Sequence, residues 1–304
     1  MKNLPALMQR EWLQHRFAWA LLMLVPLALA LLPLGFGHIQ FDDGMASRSV
    51  PQLAALLALI SIVGTTAVIF LIVWITSLFI TIGLARRDHA DRSIEFWLSL
   101  PTGHAESLAA PMIVHLLLVP AAAMLAGLLG GCAVSLLLVT RYVGLADWFA
   151  LPWGSLGGAA LAFVLRLMAG LPLAVLWLLP LILLAMLANA LLRRWGLPVL
   201  GVALGMGGVL LQYVFGQGVL GDILARLGRG AGLSLVGASG KALTIDENTD
   251  PLQALQALPG WAGQDFVAAL RQAVDPTLLA ALLVSAALFL ALVAWRQRGA
   301  SSGI

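Results

Sequence analysis

The sequence predicts an all-α polytopic membrane protein of six transmembrane helices. To these it adds an N-terminal amphipathic interfacial helix and a small periplasmic cap between spans five and six. Three observations predict it. Of the 304 residues, 61% are hydrophobic and only 10% charged, where a soluble domain carries about 25% charge. The apolar residues fall in nearly uncharged blocks of span length rather than at the 3.6 or 2.0 periods of half-buried elements. Arginines gather at the ends of those blocks, as they do beside membrane spans.

The six spans are Phe17–Phe36, Leu53–Leu84, Leu108–Val139, Ala169–Leu192, Leu197–Gly216 and Thr277–Trp295. The second and third approach ~45 Å of helix against a hydrocarbon core of about 30 Å. They must tilt or protrude, and protrusion is expected on the side of the charged loop between them. Lys2, Arg10, Arg16, Arg86, Arg87, Arg92, Arg193, Arg194, Arg296 and Arg298 lie in short segments hugging the spans on one side. The opposite side holds Arg48, Arg141, Arg166, Arg226, Arg229, Lys241 and Arg271, four of them in one long loop, where the positive-inside rule has little force. Both termini are therefore expected in the cytoplasm.

Before the first span, Leu4, Leu7, Met8 and Trp12 recur at helical spacing. Residues 1–16 read as an amphipathic helix lying on the cytoplasmic face. The following apolar run has span length and no small-residue cleavage pattern, so it reads as an uncleaved anchor. Residues 141–168 contain Trp148, Pro152 and Trp153, then an apolar stretch interrupted by Arg166. They read as an interfacial or re-entrant segment. A seventh span over Gly154–Val175 would put the termini on opposite sides, and a central arginine costs ~2.5–3.5 kcal/mol on the insertion scale. Residues 217–276 form the long polar stretch, with helices expected near Leu252–Leu258 and Asp265–Ala273.

Several chemistries are excluded. Ser239-Gly240-Lys241-Ala242 lacks the upstream glycine and the hydroxyl residue of a phosphate-binding loop. Ser239 has no histidine following it in the chain to act as an intramembrane base. His89 beside Asp88 and Asp91 lacks the spacing of a metal cluster, and the single cysteine, Cys132, excludes a cysteine cluster or intrachain disulfide. No span carries several carboxylates, as ion pumps usually do. The sequence thus predicts no catalytic residue, no metal, no cofactor of its own and no nucleic-acid partner.

Between the two overlong helices, residues 85–107 combine a charged run with Ile94, Phe96, Trp97, Leu98 and Leu100, stopped by Pro101. An exposed aromatic helix flanked by charge suits either a partner's groove or a membrane-surface connector. The run Asp91-Arg92-Ser93-Ile94-Glu95-Phe96-Trp97-Leu98-Ser99-Leu100-Pro101, followed by His104-Ala105-Glu106-Ser107, resembles the first cytoplasmic loop of type-2 ATP-binding-cassette (ABC) exporter permeases. Leu176-Trp177-Leu178-Leu179-Pro180 with Arg193-Arg194, and Trp295-Arg296-Gln297-Arg298, resemble that group's fourth and sixth spans. The stretch 217–276 has no counterpart in the resemblance. Asn189 and Ala190 stand where the group usually has serine.

The resemblance implies a bacterial inner-membrane permease subunit, itself not an enzyme, whose translocation path is driven by ATP and Mg on a separate ATPase. Two copies of this chain would pair with two ATPase subunits. Asp91, Arg92, Ser93, Ile94, Glu95, Phe96, Trp97, Leu98 and Leu100 would form the cytoplasmic coupling helix. The rival reading is an ATPase-coupled module that passes conformational work to a periplasmic partner without transporting a substrate. Thr65, Thr66, His115, Asn189 and Gln212 are the polar candidates along a substrate path, each also suited to an interhelical hydrogen bond. Gly127/Gly131 and Gly201/Gly205 allow close helix approach.

The topology is open to direct measurement. A cysteine replacing Ser302 in a Cys132→Ala background should resist an impermeant thiol reagent added to intact cells and react once they are permeabilised. Labelling from outside would reverse the orientation.

Overall fold

The computed structural model describes residues 4–36, 49–90, 103–216, 218–240 and 251–301. The regular elements among them are all helical: α1 (Leu4–Phe36), α2 (Val50–Ala90), α3 (His104–Ile113), a π turn (Val114–Leu118) and α4 (Val119–Tyr142). There follow α5 (Leu145–Phe149), α6 (Trp153–Leu192), a 3-10 turn (Arg193–Trp195) and α7 (Gly196–Phe215). The chain continues with α8 (Val219–Leu235), α9 (Pro251–Gln272) and α10 (Pro276–Ser301). Five stretches are long and apolar enough to cross a membrane: Leu4–Leu32, Val50–Arg87, His104–Tyr142, Trp153–Phe215 and Pro276–Gln297.

The first stretch differs from the sequence expectation. Residues 4–36 are one uninterrupted helix, with no turn separating an interfacial part from a span. Met8 and Trp12 pack with Trp19 against Ile69, Val73 and Val114 of the neighbouring helices. Their stripe therefore faces protein, and no break is needed to lay it on lipid headgroups.

α2 and α4 pair most closely, because small residues let their backbones meet. A Cβ on Gly127 would stand 2.6 Å from Thr66 Cα, and one on Gly131 2.6 Å from Ile62 Cα. Both are far inside van der Waals contact, so only glycine fits there. A methyl group added at Gly201 or Gly205 would meet nothing within 4 Å, so that pair makes no close approach to another helix among the described residues.

Residues 153–168, expected in an interfacial or re-entrant segment, are continuous with the apolar helix that follows them. After the short α5, α6 runs unbroken for 40 residues from Trp153. At 1.5 Å per residue that is about 60 Å, twice the hydrocarbon thickness. Trp148 and Trp153 are tied inward: Trp148 donates to Ser135 Oγ at 3.3 Å, and Trp153 donates to the Trp148 carbonyl at 3.1 Å. The surplus length builds an outer layer. The first turns of α2 (Ala54 to Ile62) and of α6 (Leu156, Ala159, Ala160) cluster there with Leu255 and Leu258 of α9.

At its other end α6 stops at Arg193, which has a left-handed φ of 57°. Gly196 then lies directly against the backbone of Ala188 and Asn189. Residues seven apart in a straight helix are separated by roughly 10 Å along the axis, so the chain bends back sharply here. α7 then runs 20 residues, about one bilayer core, with only Gly196 buried.

The two short helices expected near Leu252–Leu258 and Asp265–Ala273 are one helix, α9, and a further helix, α8, precedes it. Amphipathic α8 seats Leu227, Ala231, Ser234 and Leu235 on α6. Gly230 meets the Trp177 ring, and Gly170 of α6 meets the Ser234 carbonyl, so closely that neither position has room for a Cβ. α9 is continuous through Pro259.

Arg166, the residue that argued against a span, is why this outer layer closes. Its guanidinium is buried, with Nη2 2.8 Å and Nε 3.0 Å from Asp265 Oδ2. It also donates from Nη1 to the Ser234 carbonyl at 2.8 Å and from Nη2 to that of Leu233 at 3.3 Å. Asp265 accepts in addition from the backbone N–H groups of Gly237 (3.1 Å) and Ser239 (2.7 Å). Burial alone would raise the Asp265 carboxyl, but the hydrogen bonds from Ser239 and Arg166 outweigh it and hold it below its usual value. A depressed folded-state value means the contribution is full above the ordinary carboxylate range and is lost as pH falls through the folded value.

Removing one partner strands the other. Asp265→Ala should cost about 3–5 kcal/mol of stability, since it leaves a buried guanidinium unpaired. The Arg166→Met/Asp265→Leu double variant should recover much of that loss in denaturant unfolding of the purified protein. Equal losses in the single and double variants would mean the pair does not hold the outer layer.

Candidate functional site

Among the described residues, one polar cluster that brings two histidines to a carboxylate is assembled by three elements. α1 presents Met8, Glu11, Trp12, His15 and Trp19 at helical spacing on one face, against α2, α3 and the π turn. Among these apolar and aromatic neighbours Glu11 is a carboxylate only 1% exposed. Such a group survives burial only if paired and hydrogen-bonded.

Arg87, near the end of α2, grips it in fork geometry: Nη1 to Oε1 at 2.6 Å and Nη2 to Oε2 at 2.8 Å. This bidentate arrangement is the strong form of an arginine–carboxylate pair. His115 Nε2 lies 2.9 Å from the same Oε1, and its side chain is fully buried. His15, one turn along α1, approaches Oε1 at 3.5 Å. The imidazoles meet edge to face with centroids 5.6 Å apart, and the Trp19 ring stands 5.5 Å from His115. One carboxylate thus ties α1, α2 and the π turn together.

The π turn is the local device that delivers His115. Pro120 follows it after one residue, in the first turn of α4. A proline ring clashes with the carbonyl four residues earlier, here Leu116, and widening the preceding turn by one residue relieves that clash. The opposite side of the turn is apolar. Leu116 and Leu117 line a cavity of about 360 Å³ with Met112, Leu179, Leu183 and Phe289, between α3, α6 and α10. Ser285 also borders it, its hydroxyl donating to the Ala281 carbonyl. One turn therefore separates a charged cluster from an apolar cavity.

The polar residues named along a substrate path are dispersed. His115 is in the cluster. Thr66 donates to the Ile62 carbonyl at 2.7 Å within its own helix. Thr65 borders a second cavity, of about 260 Å³, between α1 and α2. Asn189 donates to the Ile82 carbonyl at 3.2 Å and pins the end of α6 to α2. Gln212 is exposed on α7. Of the interfacial set, Leu4 and Leu7 are half-buried, while Met8 and Trp12 join the inner face. The coupling residues Asp91 to Leu100 lie outside the described residues.

Glu11, Arg87 and His15 were missed from the sequence. The signal was present in Glu11 and His15, four apart on the face of Met8 and Trp12. Glu11, His15 and His115 each offer a ligand atom, all within 4.8 Å of one another, and could hold a metal ion. Comparison of the chain with protein-family models, curated proteins and solved structures finds no match.

A double-mutant cycle on Glu11→Ala and Arg87→Ala should give a coupling of about 2–3 kcal/mol in unfolding measurements. The figure sits at the low end for a buried pair because the Arg87 side chain is 23% exposed. Coupling below about 0.5 kcal/mol, the level of an exposed pair, would show that the bridge holds nothing together.

Proposed function

We propose that this chain is the membrane-spanning permease subunit of an ATP-driven ABC exporter. On this reading it forms the translocation path and works with ATP and Mg held on a separate ATPase. Two copies pair with two ATPase subunits in a bacterial cytoplasmic membrane. Each has six spans, two of them within Trp153–Phe215, and both termini in the cytoplasm. The exposed face of α7 carrying Gly201 and Gly205 is where a second copy would approach.

The observation that carries the reading is the run Asp91 to Pro101 with its flanking helices. α2 ends at Ala90 and α3 begins at His104, so the aromatic segment is a short connection between two long helices. Arg87 stands four residues before Asp91 and is clamped to Glu11, which also holds His115. A displacement of the connection by a closing ATPase would reach α1 and the π turn through that clamp. The cavity beyond the turn suits an apolar or amphipathic cargo.

The rival reading, a module that transmits work to a periplasmic partner, draws on the outer layer. Arg166 and Asp265 bind α9 and the end of α8 to α6, so motion of α6 would move α8 and α9 with it.

Phe96 and Trp97 are the anchors to test. Truncating either should weaken ATPase association by about thirtyfold, corresponding to a loss of ~2 kcal/mol at 1.4 kcal/mol per factor of ten. Membrane expression should stay near that of the unsubstituted chain. Full ATPase co-purification and full transport in both Trp97→Ala and Phe96→Ala would overturn the coupling role. Substrate-stimulated ATP hydrolysis in liposomes separates the exporter from the transmitting module.

A further inference from the structure

Five buried side-chain polar atoms among the described residues have no hydrogen-bond partner: His15 Nε2, Trp19 Nε1, Trp74 Nε1, Ser77 Oγ and His115 Nδ1. Three of the five sit on one cluster, the His15, Trp19 and His115 group around Glu11. Buried orphans are rare because each costs about 1–3 kcal/mol, and those that persist mark strain, function, or a missing water or ion. Of the three at the cluster, the indole N–H of Trp19 can only donate and His115 Nδ1 faces away from Glu11, so the one orphan an ion would satisfy is His15 Nε2.

We propose that Glu11, His15 and His115 form a binding site for a divalent transition-metal ion of zinc type. The inference is independent of the transport reading. The donor set of two imidazoles and one carboxylate is one that zinc uses in sites keeping an open position. With metal–ligand bonds of about 2.0–2.1 Å, a tetrahedral ion sets its ligand atoms about 3.3 Å apart. Here Glu11 Oε1 stands 2.9 Å from His115 Nε2 and 3.5 Å from His15 Nε2. Both imidazoles are therefore near the required spacing from the carboxylate, and all three ligand atoms lie within 4.8 Å of one another. Small side-chain shifts would bring them onto one ion.

The surroundings divide the labour. Arg87 can retain Oε2, where Nη2 donates at 2.8 Å, and so steady the carboxylate from the outer side while Oε1 turns to the ion. That retreat of Nη1 from Oε1 relieves the crowding of two cations on one oxygen. His115 and Glu11 are buried, but the His15 side chain is 29% exposed. His15 is thus the entry side, and water can take the remaining position. The His15 Nε2 atom, buried and without a hydrogen bond although part of the side chain is exposed, gains the ion as its partner. No metal-ligand spacing is legible in the sequence because His115 lies 104 residues from Glu11.

The test uses the tag-free, full-length chain in detergent, stripped with chelator and titrated with Zn²⁺, and separately with Co²⁺ for its visible absorption. One equivalent should bind, with Co²⁺ giving the intense bands of a low-symmetry, four- or five-coordinate site. His15→Asn changes the partly exposed ligand and should leave unfolding of the metal-free chain close to the parent. It should weaken binding at least about a hundredfold, since even outer-shell changes cost 10–100-fold. His115→Asn should do the same, and His104→Asn, outside the cluster, should bind as the parent does. Absence of stoichiometric Zn²⁺ and Co²⁺ binding in the parent would overturn the site. So would binding unchanged in both His15→Asn and His115→Asn.

Discussion

The carboxylate of Glu11 holds together the end of the bundle from which the 91–102 connection leaves. A buried anion in a low-dielectric interior cannot be left alone, so its position dictates where Arg87 and His115 must stand. Satisfying it fixes the rotation of α1, since Glu11 must face inward. It also fixes the register of α2, since Arg87 must reach both oxygens. The π turn follows from the third partner, because His115 must point at α1 while its neighbours Leu116 and Leu117 face the cavity. Hydrophobic burial could seat these helices in several rotations and shifts, whereas a fork of hydrogen bonds accepts one.

The opposite end solves a different problem by related means. Helices much longer than a bilayer expose apolar surface beyond it, and here that surface is gathered into a layer with α8 and α9. Arg166 supplies the direction that apolar contacts lack. It joins α6 to the Ser234 and Leu233 carbonyls at the end of α8 and to Asp265 of α9. Between the ends, the backbone contact of α2 with α4 at Gly127 and Gly131 makes a stiff pair. Each end therefore has its own electrostatic lock, and the middle is joined by shape.

How much of this was legible depended on range. The helical class and most span positions follow from unbroken apolar runs, a local property. The rotation of residues 4–16 was legible too, since Met8 and Trp12 mark the inner face, but what that face meets was not. The continuity of α6 was hidden by Arg166, which looks unaffordable until Asp265, 99 residues on, is placed beside it. Glu11 was passed over for the same reason: its partners are 76 and 104 residues away. Pairing between distant charges leaves no trace in hydropathy or spacing. The two glycine pairs look alike in the sequence, and only the helix opposite Gly127 and Gly131 separates their roles. The bend at Gly196 falls where Arg193 and Arg194 interrupt the apolar run, the one local mark of it in the sequence.

The π turn carries one residue more than a regular helix needs, and that surplus has a consequence for how the gene can vary. Each residue of an α-helix advances the chain by about 100° around the axis. Loss of one codon within Val114–Leu118 removes that surplus, so the turn heals into ordinary helix while the residues on either side keep their faces. Gly127 and Gly131 would stay against α2 and Met112 on the cavity. What would be lost is the widened turn that lets His115 reach Glu11 while Leu116 and Leu117 line the cavity. A codon gained or lost beside the turn, in regular helix, has no such slack and turns one flank by about 100° against the other. Lineages descending from this chain should therefore bear a change of length inside this segment more readily than one next to it.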